Sequence, residues 1–215
     1  MRKVLPAGIY GITAEEYSNG RKNPDVVREM VKGGVKVVQY REKGDKSLRK
    51  KYEECMEIRR ITRGEDVIFI VNDFIDIALA VDADGVHIGQ DDMPLSVVRK
   101  LAGEKIIGIS THNSEQALAA VRDGADYIGV GPIYSTFTKI HEGGPVGLGY
   151  LDFVVKNISI PFVAIGGIKE SNLDEVIKAG AKTAALVSEI VGAPDICKKV
   201  ESLRMIMDRL QNYYF

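Results

Sequence analysis

The chain has 215 residues, of which 45% are hydrophobic and 27% are charged, a composition typical of a globular domain long enough to bury a sizeable core. Its 29 basic and 30 acidic residues give a formal net charge of -1, so no electrostatic surplus favours nucleic acid as a partner. No stretch of about 18 apolar residues occurs, which excludes a membrane span.

The cysteine content argues against a secreted, disulfide-stapled protein. Cys55 and Cys197 are the two cysteines of the chain, and neither belongs to a CxxC or Cys/His metal pattern. The basic N-terminus lacks the apolar run of a signal peptide. We therefore expect a reduced, cytoplasmic protein with neither a membrane nor a nucleic acid as partner. No pattern in the sequence indicates an oligomeric state.

In chain order, short apolar segments alternate with amphipathic ones. Four stretches share one shape, a helix end followed by a turn that usually holds glycine and then a short apolar strand, at residues 30–39, 78–88, 120–130 and 176–186. Glycine suits the left-handed cap that ends a helix. Further apolar strands are predicted at residues 8–13, 67–71, 105–110 and 161–166. The total of about eight strands is the number that closes a barrel.

The predicted helices lie between these strands. Asn23 followed by Pro24 resembles an N-cap with proline at the first helical position. At the end of the chain an apolar stripe recurs at helical spacing, formed by Ile196, Val200, Leu203, Met207 and Leu210. The alternation of strands and helices predicts an α/β protein, a single TIM (β/α)8 barrel domain spanning residues 1–215.

The active site of such a barrel lies at the carboxyl ends of its strands, and the second strand ends in Gln39, Arg41 and Lys43. Alternate residues of an extended segment point the same way, so two cations and an amide share one face. That set suits a polyanionic ligand such as a phosphate ester. The alternative is a solvated basic strand end.

Carboxylates follow two neighbouring strands, as Asp73 and as Asp92 or Asp91. Such a pair could hold Mg²⁺ together with substrate phosphates. The alternative is that each aspartate caps the helix that follows it.

Polar and glycine-rich segments follow the later strands. Thr136, Thr138 and Lys139 lie on the long irregular stretch 131–149, where a loop closing over a charged ligand would need such groups. Gly167 and Ser188 fall where barrels often bind a phosphate. The site therefore combines two anion-binding regions with no evident covalent nucleophile, which favours a transfer that releases diphosphate.

Taken together, these motifs resemble those of the thiamine-phosphate synthase family, and they run in the family's order from residue 39 to residue 188. They are Gln39-x-Arg41-x-Lys43, Asn72-Asp73, Gly89-Gln90-Asp91-Asp92, Ser110-Thr111-His112, Gly131-Pro132, Thr136-x-Thr138-Lys139, Ile165-Gly166-Gly167-Ile168 and Val187-Ser188.

The resemblance implies a TIM barrel that joins a pyrimidine diphosphate to a thiazole phosphate through a dissociative, carbocation-forming step. It implies pyrimidine-diphosphate ligands at Gln39, Tyr40, Arg41, Glu42, Lys43, Asn72, Ser110 and Lys139, with Arg41, Lys43, Ser110 and Lys139 as the catalytic groups. It implies thiazole-phosphate ligands at Thr136, Phe137, Thr138, Gly167, Val187 and Ser188. Asp73 and Asp92 would bind Mg²⁺, Asp92 being preferred to Asp91 because the family's carboxylate stands last in its GQ-[DE]-D motif.

The loop departs from the family's pattern, which usually has proline where this chain has Ser135. Three other functions remain open at this stage. A thiazole tautomerase would keep the thiazole-phosphate site without joining the two halves. A sugar-phosphate isomerase or epimerase could share the fold. A non-catalytic protein would bind both phosphorylated ligands and release no diphosphate.

Overall fold

The computed structural model describes residues 4–138 and 144–214. Within these ranges eight parallel strands close into a barrel in sequential order, and β8 completes it by pairing with β1. The strands are β1 (Gly8–Ile12), β2 (Val37–Tyr40), β3 (Ile68–Asn72), β4 (Gly85–Ile88), β5 (Ile106–Thr111), β6 (Tyr127–Val130), β7 (Phe162–Ile165) and β8 (Thr183–Ala185). The predicted TIM barrel is confirmed.

Helices surround this barrel. Over the described part of the chain they are α1 (Asn23–Lys32), α2 (Leu48–Gly64), α3 (Ile75–Ala80), α4 (Leu95–Ala102), α5 (Ser114–Arg122), α6 (Gly147–Asn157), α7 (Leu173–Lys178), α8 (Val187–Val191) and α9 (Ile196–Tyr214). The stripe predicted for α9 is confirmed, since its first four members are buried and Leu210 is partly buried. None of the helices in residues 4–138 and 144–214 combines the length and the apolar content that a membrane crossing requires.

The core has two layers because successive strand residues point to opposite faces. Outward-facing residues such as Val38, Phe69 and Ile107 pack under the helices. Inward-facing residues such as Ile70 and Tyr127 fill the barrel. The interior thus acts as a packed support for whatever lies at the carboxyl ends of the strands.

The predicted N-cap role of Asn23 is wrong. Lys22 occupies the N-cap position of α1 without a side-chain cap, and Asn23 is the first helical residue. Its side-chain amide instead donates to the buried carboxylates of Glu42, at 3.0 Å, and Glu54, at 3.2 Å. Buried carboxylates need donors more than an exposed helix end does, since the helix end can bind water.

Candidate active site

At the carboxyl ends of the strands the barrel opens into a cavity. Its lining residues are Tyr10, Ile12, Gln39, Arg41, Asn72, His87, Ser110, Tyr127, Gly129, Thr138, Val163, Ile165 and Val187. Six of the sequence-predicted site residues are among them: Gln39, Arg41, Asn72, Ser110, Thr138 and Val187. The structure thus brings residues from β2, β3 and β5 together with residues that follow β6 and β8.

The end of β2 divides its side chains between the two faces of the barrel. Gln39 and Arg41 line the cavity. Tyr40 points outward, and its hydroxyl donates to Glu54 Oε2 at 2.9 Å. Glu42 also lies outside the cavity, where Lys46 pairs with its carboxylate at 2.9 Å. The structure therefore does not bring Tyr40 and Glu42 to the cavity, because strand alternation turns every second side chain away from it.

The outward side chains join an ionic group that we call the Lys46 cluster, in which Glu42 and Glu54 are buried and Lys46 and Glu15 are partly buried. The Lys46 ammonium lies 2.5 Å from Glu15, 2.9 Å from Glu42 and 2.7 Å from Glu54. Burial alone would raise the pKa of Glu15 and Glu42, but the hydrogen bonds from Lys46 outweigh it and hold both pKa values below the usual range. The cluster anchors the loop that connects β2 to α2.

Arg41 is fixed from two directions. Its backbone N–H donates to the Thr13 hydroxyl at 2.8 Å, and the same hydroxyl donates to its carbonyl at 3.0 Å. Its guanidinium Nη2 donates to the Thr138 carbonyl at 3.3 Å. The Arg41 cation is therefore held in place by Thr13, which directly follows β1, on one side and by the loop after β6 on the other.

Asp73 and Asp92, which we call the metal pair, meet at the rim of the cavity. Asp73 directly follows β3 with φ at +64°, a left-handed conformation that aspartate tolerates better than most residues. Burial raises the pKa of Asp73, and the neighbouring Asp92 carboxylate raises it further, whereas Lys43 opposes both effects. Lys43 Nζ donates to Asp73 Oδ2 at 2.5 Å, and Asp92 Oδ2 accepts from the Gly89 N–H at 2.6 Å.

This geometry fits a hard divalent cation. A partly buried Asp73 carboxylate whose pKa is raised by burial and by a second carboxylate beside it forms a site that a cation would neutralise, and Mg²⁺ prefers such oxygen ligands. The helix-cap alternative is wrong, because α3 and α4 begin without a side-chain cap and their N-cap residues are Phe74 and Pro94. Asp91 and Asp92 are both exposed, but it is Asp92 that contacts Asp73.

The residues predicted for the second anion lie around the opposite side of the mouth. Thr138 and Val187 line the cavity, and the hydroxyls of Thr136 and Thr138 are 3.0 Å apart. Phe137 is 91% exposed. Ser188 is in the first turn of α8. Lys139 lies outside the described residues.

Gly167 shows why the turn after β7 needs glycine. Its φ is +63°, and a Cβ atom there would lie 2.5 Å from the Ser135 carbonyl oxygen and 2.7 Å from Tyr134 Cβ. No side chain could be accommodated at that approach. The turn therefore packs its backbone directly against the loop that carries the two threonines.

Sequence reasoning missed two polar residues inside the barrel, Tyr10 and Tyr127, and did not place His87 at the cavity. All are buried and line the cavity. The Tyr10 and Tyr127 hydroxyls are 2.7 Å apart, and His87 Nδ1 is 2.9 Å from the Tyr127 hydroxyl. The available signal was a polar side chain at an inward position of a buried strand, which requires a hydrogen-bond partner. His112, the last residue of the Ser110-Thr111-His112 motif, places Nδ1 2.5 Å from the Gly131 carbonyl oxygen.

Comparison with known proteins decides the family. The model of the thiamine monophosphate synthase family matches residues 9–190. The chain belongs to this family. A thiamine-phosphate synthase from Pelotomaculum thermopropionicum is 61% identical over 210 residues, which cover 97% of this chain and 96% of that protein. The thiamine-phosphate synthase of Caldicellulosiruptor bescii is 53% identical over 200 residues, covering 93% of this chain and 91% of that protein.

A solved structure from the same family has the same architecture. The thiamine phosphate pyrophosphorylase from Pyrococcus furiosus matches with a TM-score of 0.87 at 39% identity, covering 94% of this chain and 96% of that chain. The similarity extends over nearly the whole barrel, so the cavity at its carboxyl end belongs to a scaffold that this member of the family also uses.

Proposed function

We propose that the chain makes thiamine phosphate from 4-amino-5-hydroxymethyl-2-methylpyrimidine diphosphate and 4-methyl-5-(2-phosphooxyethyl)thiazole, or the carboxylated precursor of that thiazole. The bond between the pyrimidine methylene carbon and the diphosphate oxygen breaks, and its electron pair leaves with diphosphate. The thiazole nitrogen then donates its lone pair to the pyrimidine cation. The products are thiamine phosphate and diphosphate, together with CO₂ when the carboxylated thiazole is the substrate.

The observation that carries this proposal is the convergence of Gln39, Arg41, Asn72 and Ser110 on one cavity with the metal pair at its rim. A guanidinium, two amides and a hydroxyl can each donate to phosphate oxygens, and arginine can do so with two parallel bonds. Lys43 stands beside the metal pair and adds a second cation. Groups aimed at a departing diphosphate stabilise charge that grows as the bond breaks.

Apolar residues of the same cavity would protect the cation. Ile12 on β1, with Val163 and Ile165 on β7, forms an apolar side of the cavity. Water could capture the pyrimidine cation in place of the thiazole nitrogen, so an apolar wall that excludes water favours the productive capture. The polar groups proposed to hold the diphosphate lie on the other side, at the ends of β2, β3 and β5.

Mg²⁺ bound at the metal pair would supply Lewis-acid stabilisation of the diphosphate. Asp73 and Asp92 would hold it, while Arg41 binds the diphosphate from the β2 side. Thr136, Thr138 and Ser188, with the backbone of Gly167, would bind the thiazole phosphate. Tyr40 and Glu42 support this assembly through the Lys46 cluster and are not proposed as ligands.

Release of diphosphate tests this function. Purified protein is incubated with both substrates, with each alone, and with both substrates plus EDTA in place of Mg²⁺. We expect diphosphate and thiamine phosphate only when both substrates and Mg²⁺ are present. Thiazole-phosphate binding without diphosphate release would favour the tautomerase or the binding protein, and turnover of a sugar phosphate would favour the isomerase.

Lys139 provides a second test on the sequence-predicted loop. We expect Lys139→Ala to leave the far-UV circular dichroism spectrum and the thermal unfolding profile unchanged. We expect it to lower turnover sharply, because the lysine side chain would close over the diphosphate opposite Arg41. Near-normal turnover of this variant would contradict the role assigned to the loop.

A further inference from the structure

A continuous hydrogen-bonded chain crosses the barrel beneath the cavity and ends at a predicted catalytic group. We call it the barrel relay: Gln39, Tyr10, Tyr127, His87 and Ser110. Gln39 Nε2 donates to the Tyr10 hydroxyl at 3.0 Å, which is 2.7 Å from the Tyr127 hydroxyl. His87 Nδ1 lies 2.9 Å from that second hydroxyl, and Nε2 lies 3.0 Å from Ser110 Oγ.

The bonds between the hydroxyls and the imidazole can run in either direction along the relay, and the proposed direction begins at Gln39. In it, Tyr10 accepts from the Gln39 amide and gives its single proton to Tyr127. Tyr127 in turn has its proton available for His87 Nδ1. A neutral imidazole that accepts at Nδ1 carries its proton on Nε2, and this proton goes to Ser110 Oγ. The Ser110 hydroxyl proton is then directed to a partner in the cavity.

Burial keeps the relay in this state. Tyr10, Gln39, Tyr127 and His87 are all buried. Burial raises the pKa of Tyr10 and of Tyr127 far above the usual tyrosine range, so neither phenol loses the proton that the relay needs. The Ser110 carbonyl also accepts from Gln90 Nε2 at 2.6 Å, which fixes the backbone that carries the hydroxyl.

We propose that His87 is a positioning residue that, through its Nε2–H tautomer, locks the Ser110 hydroxyl as a hydrogen-bond donor toward an acceptor atom of the pyrimidine diphosphate. The inference rests on the proposed function for the identity of the ligand. It assigns His87 no contact with the reacting atoms. Its effect on the reaction passes through the orientation of Ser110.

The tautomer of His87 can be measured without any substrate. The chain has three histidines, so ¹⁵N correlation spectra of the histidine-labelled protein contain few signals, and the set missing in His87→Gln belongs to His87. We expect a neutral ring with the proton on Nε2 at pH 7. A proton on Nδ1, or a charged ring, would overturn the proposal whether or not the protein makes thiamine phosphate.

Kinetics of His87 variants test whether the residue acts through Ser110. His87→Leu is expected to lower kcat/KM for the pyrimidine diphosphate about 10- to 100-fold, the effect of misdirecting one buried donor, and to leave KM for the thiazole phosphate unchanged. His87→Gln, whose amide can donate to Ser110, should lose about tenfold or less. If His87→Leu fails to fold, the kinetics of His87→Gln and the tautomer measurement still test the positioning role of His87.

A double-mutant cycle removes the remaining ambiguity. In a Ser110→Ala background, His87→Leu should cause no further loss, because the hydroxyl that it positions is gone. Independent, multiplicative losses would mean that His87 acts by another route and would overturn the proposal. Absence of activity in the wild-type protein would instead refute the proposed function, so the two failures are distinguishable.

A matched pair of tyrosines controls for general damage to the barrel. Tyr127→Phe removes the donor to His87 and should lower kcat/KM for the pyrimidine diphosphate. Tyr150→Phe removes another buried hydroxyl, one that donates to Thr111 Oγ1 at 2.7 Å, and should leave both kinetic constants unchanged. Equal effects of the two variants would contradict a relay that runs through Tyr127.

Discussion

Replacing Lys46 by methionine tests how the ionic cluster holds the loop that follows β2. The Lys46 ammonium contacts three carboxylates, and its side chain is only 19% exposed. The side chains of Glu42 and Glu54 are buried still further. Methionine retains the apolar stem and removes the charge, so the substitution leaves an uncompensated group of buried carboxylates.

The expected loss of stability is large. Removing one partner of a buried ion pair typically costs about 3–5 kcal/mol, which for a domain of this size corresponds to a fall in Tm of roughly 6–20 °C. Lys32→Met is the matched control, since the Lys32–Glu29 pair is exposed at 59% and 37%. Exposed pairs contribute about 0–1 kcal/mol, so this control should change Tm little.

The difference between Lys46→Met and the wild type should shrink at low pH. The lowered pKa values of Glu15 and Glu42 in the wild type mean that their stabilising contribution is present above the ordinary glutamate value of 4.5 and is lost as the pH falls below it. In the variant the ammonium of Lys46 is absent, so we expect the pKa values of Glu15 and Glu42 to be higher than in the wild type. Protonation of these carboxylates then removes unfavourable buried charge, so lowering the pH stabilises the folded variant. In the wild type the same protonation destabilises the folded state.

Urea unfolding at pH 7 and near pH 4.5 measures both the loss of stability and its pH dependence. At each pH the variant and the wild type must have the same m-value for their stabilities to be compared. A destabilisation of Lys46→Met below about 1 kcal/mol at pH 7 would place the cluster with ordinary surface pairs. A destabilisation that stays constant between the two pH values would refute the electrostatic explanation, because a purely steric loss of packing does not titrate.

Three further substitutions test the rim and the interior. Lys43→Met should strengthen Mg²⁺ binding to the free protein, because the ammonium no longer competes for the metal pair. The same variant should bind inorganic diphosphate more weakly. Calorimetry measures both affinities, and weaker Mg²⁺ binding would contradict this competition. Asp92→Ala should raise the Mg²⁺ concentration needed for half-maximal turnover more than Asp91→Ala does, and the reverse order would mean that the other carboxylate binds the metal. Gly108→Ala should destabilise the fold by about 1–3 kcal/mol, since its Cβ would lie within 2.5 Å of the Tyr127 ring, whereas Gly64→Ala, with no atom within 4 Å of its Cβ, should be neutral or stabilising in chemical denaturation.

The barrel and half of its site follow from local rules that a sequence displays. Apolar strands at regular intervals with glycine before several of them predicted the eight strands, and the period of two in a strand predicted that Gln39 and Arg41 face the same way. The position of Asp73 directly after β3 predicted its place at the rim. These inferences need only the periodicity of the chain and the rule that parallel strands end together.

What escaped prediction depends on contacts between distant segments. The same period of two that places Gln39 in the cavity sends Tyr40 and Glu42 away from it, but a contiguous motif does not say which of its members have partners elsewhere. Glu54 from α2 supplies the partner of Tyr40, 14 residues later. His87 and its partner Tyr127 are 40 residues apart in the chain, so the relay is visible only in three dimensions.

The two cations of the predicted diphosphate site differ in how they are held, and this difference assigns them different parts in the reaction. Arg41 is bonded through its backbone to Thr13 and through its guanidinium to Thr138, so its position is set before the ligand arrives and little reorganisation accompanies the growth of charge on diphosphate. Lys43 is half-exposed and paired with Asp73. A divalent cation bound at the metal pair would replace that ion pair and would release the flexible ammonium beside the incoming diphosphate. In the proposed reaction the rigid cation would therefore stabilise the transition state, whereas the mobile one would couple metal binding to ligand binding.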